Sequence, residues 1–186
     1  MTKEQLDDIE ARLQENLLRL CLSFGMTGDV LLSSDDIDGK WKEFAPEFMA
    51  DAVKNFNSYP EFTLACAAFA GMAVAKFWDE DWGRHHGDPY SVLLGSRGFD
   101  NMDDHIVADI LGYEPGSAEA GALVSFMECL SQSAWDFIRH SAIEAGTADA
   151  FHMLARAARV MFRTGAGIEL KRLGYRFQQV ITNRFS

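Results

Sequence analysis

Phe62-Thr63-Leu64-Ala65-Cys66-Ala67-Ala68-Phe69-Ala70-Gly71-Met72-Ala73-Val74-Ala75-Lys76-Phe77 is the stretch on which the fold turns. Its side chains are small or apolar on every side, with no polar face at either helical or strand spacing. A helix of that kind is stable only when it is covered all round, so the stretch predicts a buried central post over about residues 60–78. Pro60 fits its first turn, and Asn57, Ser58 and Tyr59 form the turn before it. Immediately beyond come Trp78, Asp79, Glu80, Asp81, Trp82, Gly83, Arg84, His85, His86, Gly87 and Asp88, the densest group of ionisable and aromatic side chains in the sequence.

The flanking segments read as the cover. Leu6, Ile9, Leu13, Leu17, Leu20 and Phe24 advance by threes and fours, which gathers them on one side of an amphipathic helix that Gly25 can end. Residues 26–40 read as an acidic loop. Its carboxylates lack the alternation and closing glutamate of a calcium loop. Trp41, Phe44, Phe48, Met49, Val53 and Phe56 form a second stripe, with Pro46 expected near the helix start. Asp88 and Pro89 suit the start of a short helix closed by Gly95 and Gly98, and Asp100 with Asp103 suits the start of the next, ended by Gly112.

Pro115, Gly116 and Ser117 open a long helix with Leu123, Phe126, Met127, Leu130, Ala134, Phe137, Ile138 and Ser141 inward, ended by Gly146. The last helix is expected from Ala148 to about Ile181, carrying Phe151, Leu154, Ala158, Met161, Phe162, Ile168, Leu173, Phe177 and Val180 on its inner side. Gly165, Ala166 and Gly167 either bend this helix or let another approach closely. The expectation is an all-α, single-domain irregular bundle over residues 1–186, with about six or seven helices around the central one.

The totals limit the function classes. The chain has 186 residues, 48% hydrophobic and 24% charged, which suits one globular domain with a sizeable core. Its net charge of −11 argues against nucleic acid and anionic membrane surfaces as partners. Cys21, Cys66 and Cys129 form no C-x-x-C pair and each lies in an apolar helical run, so buried, reduced thiols in a cytoplasmic protein are expected. The N-terminus does not read as a signal peptide, and the central apolar run falls short of the roughly 18 residues of a membrane span.

Candidate chemistry gathers in two places. The first is the acid and histidine cluster, where Trp78, Asp79, Asp81, Trp82, His85 and His86 could hold a small ligand. Adjacent histidines rarely address one centre, and neither H-E-x-x-H, a zinc-finger spacing nor Glu-x-x-His occurs, so no metal and no cofactor is assigned. The second is Arg156, Arg159 and Arg163, which share one helical face and suit an anion. From Thr147 to Ser186 there are seven basic residues against two acidic ones, so this basic end is expected to dock on the acidic body, with Asp79, Glu80 and Asp81 as candidate acceptors. A nucleophile elbow, G-x-S-x-G, is absent. The reading is therefore a non-enzymatic protein-interaction or structural module, with homodimerisation as one form. The alternative is an anionic-ligand or metal-binding protein, or an enzyme, with its site at the end of the central helix.

Overall fold

A computed structural model describes residues 1–176. Its regular structure among those residues is helical, in the order α1 (Lys3–Ser23), α2 (Asp35–Phe56), α3 (Pro60–His85), α4 (Ser91–Leu94), α5 (Met102–His105), α6 (Ala118–Arg139) and α7 (Ala148–Arg172). A 3-10 turn (Phe99–Asn101) precedes α5 and a π-helical turn (Ile106–Ile110) follows it. The fold is the all-α bundle expected, with α3 at its centre.

Every residue of α3 from Thr63 to Ala75 is buried. Helix α7 provides most of the cover, with α6 and α2 on the other sides. Helix α3 is in fact long and apolar enough to cross a membrane, at 26 residues and a mean hydropathy of 1.2 over its best window, which corrects the shorter span read from the sequence. That window is 72% buried within the fold, where α7 and the other helices take the place a lipid would have.

The α3–α7 contact is made backbone to backbone. A Cβ on Gly71 would stand 1.9 Å from the carbonyl oxygen of Phe162, and one on Gly165 would stand 1.9 Å from that of Ala68. Of the two roles open to the 165–167 glycines, close approach is the one found, and α7 continues unbroken through them. Trp41 closes the far side of this crossing, 5.0 Å from the Phe162 ring.

Several boundaries differ from the sequence reading. Helix α2 starts at Asp35, capped by the Ser34 hydroxyl accepting from the Ile37 N–H, so Pro46 falls inside the helix rather than near its start. Asp35, Asp36 and Asp38 occupy its first turn, where the helix dipole favours acids. Helix α6 ends at Arg139, which leaves Ser141 and Gly146 in the following loop. Helix α7 ends at Arg172 beside Gly174 (φ 93°), eight or nine residues before the end expected, and Phe177 and Val180 lie outside the described residues. Cys21 and Cys66 are buried as expected, whereas Cys129 is exposed on the outer face of α6.

Candidate functional site

The acid and histidine cluster belongs to the central helix as far as His85, with His86, Gly87 and Asp88 just beyond its end. Helix α3 breaks once, at Asp81 (φ −167°, ψ 88°), whose carboxylate accepts from the Arg84 N–H at 3.1 Å and so caps a fresh turn running to His85. The side chains around this break find partners close by. His85 stacks on Phe77 at 4.3 Å, with its Nδ1 2.7 Å from Asp88 Oδ2. His86 Nδ1 faces the carbonyl oxygens of Trp82 and Gly83, so it carries the hydrogen.

Trp78 Nε1 donates to Asp36 Oδ2 at 3.2 Å, and the Tyr175 hydroxyl donates to Asp79 Oδ1 at 2.7 Å. Trp82 packs half-buried against the core. The space left among Phe44, Trp82, His85 and Leu93 amounts to about 10 Å³, at the lower limit for a single water. Among the described residues, no three His, Cys, Asp or Glu side chains group so as to hold a metal ion.

Arg156, Arg159 and Arg163 lie elsewhere, on the first half of α7. Glu10 of α1 is buried and accepts from both Arg156 (2.7 Å) and Arg159, while Asp7 accepts from Arg156 at 2.5 Å. Arg156 and Arg159 therefore dock on α1, while Asp79 accepts from Tyr175 just past α7 and Glu80 pairs with Lys76 of its own helix. Arg163 reaches toward α2, with its Nε 3.6 Å from Asp38 Oδ1. That Nε is buried without a hydrogen-bond partner. Asp36 and Asp38, two residues apart on one helical turn, point to opposite sides of α2. The tryptophan end and the arginine end thus meet different faces of the same turn and form no common site.

A groove of about 1170 Å³ lies between α2 and the first half of α7. The two helices run antiparallel along it, pairing Asp38 with Arg163 at one end and setting Val53 and Phe151 at the other. Its floor is Trp41, Ala45, Met49 and Ala155. Val53 and Phe151 stand 46% exposed on its walls, although their spacing assigns both to the core. A second hollow of about 370 Å³ shares Trp41, Ala45, Met49, Ala155 and Arg159 and extends it toward α1.

Polar groups mark the rim. Lys42, Lys54, Arg159 and Arg163 line the groove against two acids, Asp35 and Asp38. Burial raises the Asp38 carboxyl above its ordinary value, and the nearby Arg163 guanidinium works against that rise. An apolar floor with charged side chains confined to the rim is an arrangement suited to binding.

Of the residues singled out from the sequence, only Arg159 and Arg163 border this groove. The remainder of its lining went unrecognised because it comes from helices separated by about a hundred residues. One sign was present in the sequence: more apolar positions on α2 and α7 than a single core face can use. The chain matches no protein-family model, no curated protein and no solved structure.

Proposed function

We propose that the protein is a non-enzymatic, cytoplasmic docking module whose α2–α7 groove receives an amphipathic helix of a protein partner. The observation that carries this reading is the exposure of Val53 and Phe151 at one end of a groove floored by Trp41, Ala45 and Met49. Apolar side chains patterned for burial, facing one another across two antiparallel helices, leave a place for a third. From Asp38 to Val53 the α2 wall rises about 22 Å, the length of a helix of roughly fifteen residues. Recognition by helix in groove uses anchors at i, i+3, i+4 and i+7, which match such a floor.

The test is binding of a fluorescein-labelled helical peptide of about sixteen residues with leucines at those spacings, followed by anisotropy. The expected result is saturable binding that Val53→Asp or Phe151→Asp weakens by about tenfold or more, with the circular dichroism of each variant unchanged. Absence of binding, or binding indifferent to both substitutions, would overturn the proposal. So would a dimeric solution mass that Val53→Asp converts to a monomer, since the occupant would then be a second copy of this chain.

A further inference from the structure

Resting on that docking reading, the charge around the groove goes further and gives the chemistry of the occupant. Lys42 and Lys54 are both exposed, and neither forms an ion pair within the described chain. They stand twelve residues apart on α2, about 18 Å along the axis. Arg163 adds a guanidinium that faces Asp38 through its buried Nε at 3.6 Å and reaches Gln14 through Nη1 only at 3.4 Å. Asp35 and Asp38 oppose this group at one end only. With Arg159 held by Glu10 and Arg163 facing Asp38, Lys42 and Lys54 are the rim cations left without a counter-charge, on a chain of net charge −11.

We infer that the groove selects an acidic amphipathic helix, with an apolar stripe on Trp41, Met49 and Val53 and flanking carboxylates directed at Lys42, Lys54 and Arg163. The rim cations raise the encounter rate with such a helix and disfavour a basic one, while the apolar floor supplies most of the affinity. The negative body of the protein repels the same helix everywhere else, which confines it to the groove. A helix arriving with its carboxyl end at Arg163 adds its own dipole to that attraction.

Two peptides with one leucine stripe, one flanked by Glu and the other by Lys, separate this inference from the docking reading beneath it. At low salt the Glu-flanked peptide is expected to bind the wild type about tenfold more tightly, with the advantage falling as salt rises. In the double variant Lys42→Glu, Lys54→Glu the order of the two peptides inverts. Equal affinity, or preference for the Lys-flanked peptide by the wild type, would overturn the acidic occupant while leaving the groove as a docking site. Failure of both peptides to bind would remove the docking reading and this inference together. Dodecanoate serves as a third probe, and its binding more tightly than the Glu-flanked peptide would overturn the helix in favour of a lipid-like anion.

Discussion

Gly71 and Gly165 stand in a reciprocal relation: each faces the carbonyl oxygen of the residue three places before the other, Phe162 for Gly71 and Ala68 for Gly165, at 1.9 Å from where a Cβ would be. Helices α3 and α7 are therefore in backbone contact along this crossing. The void that two small residues would otherwise leave is occupied by the opposing main chain, an arrangement favourable to weak C–H···O contacts.

Gly71→Ala and Gly165→Ala are each expected to destabilise the protein by about 3 kcal/mol, the upper part of the overpacking range, because the clash is with backbone that cannot rotate away. Gly121, inside α6 with nothing within 4 Å of an added Cβ, is the contrast. Gly121→Ala is expected to stabilise by about 0.5–1 kcal/mol through helix propensity alone. Urea denaturation followed by circular dichroism distinguishes the two signs.

Glu10 gives a second prediction. It is buried and shared by Arg156 and Arg159, so Glu10→Ala strands two guanidinium groups against α1. Both arginines retain some access to water, which moderates the loss to about 2 kcal/mol. Double-mutant cycles with Arg156→Ala and Arg159→Ala are expected to show coupling of Glu10 to each. Strict additivity would count against the shared ion pair.

A pH dependence follows from Glu169. Its side chain is fully buried beside Arg172, and burial raises its carboxyl above the ordinary value while the Arg172 hydrogen bonds and charge pull the other way. Burial dominates because Arg172 is 40% exposed and spends part of its field on water. A raised acid holds its proton longer in the folded state than in the unfolded chain. Its contribution is thus fully present below the unfolded pKa and is lost as pH rises through the folded one. Glu169→Gln removes this slope. Relative to wild type, the variant is expected to gain stability between pH 4 and pH 7, read from urea midpoints; a relative loss would mean that the Arg172 pairing prevails.

The break in α3 is open to a direct test. Asp81→Ala removes the carboxylate that caps the turn ending at His85 and is expected to cost about 1 kcal/mol, whereas Asp81→Asn keeps an acceptor and most of that stability. Amide exchange at Arg84 reports the local effect, and it should quicken in the alanine variant only.

The architecture was legible where one signal dominated. A run apolar all round announced α3, and the stripes of α1, α2, α6 and α7 announced its cover. Pro46 misled the reading of α2, since proline favours a first turn and the true start is the Ser34 cap with acids behind it. The π turn over Ile106–Ile110 leaves no mark in composition, being one extra residue inside a continuous apolar face. Glu10 lies off the apolar stripe of α1, and its burial is recognised only once its arginines, about 150 residues away, are in view.

The candidate site was harder still. The acid and histidine group stands out by density, yet its side chains are taken up by one another, by their own helix end, and by Asp36 and Tyr175. Period assigns Val53, Phe151 and Phe24 inward, yet Val53 and Phe151 stand exposed beside the groove and Phe24 stands exposed at the end of α1. Periodicity shows that a face is apolar; it does not show whether this chain or another covers it.

The α3–α7 crossing also bears on how the chain is made. The buried central helix leaves the ribosome roughly ninety residues before the glycines that will lie against it, an interval on the order of 5 to 20 s at ordinary rates of synthesis. Throughout that time a segment long and apolar enough to span a bilayer is without its main cover. Nascent-chain factors that recognise exposed apolar helices are thus expected to meet α3 first, and release from them awaits the synthesis of α7.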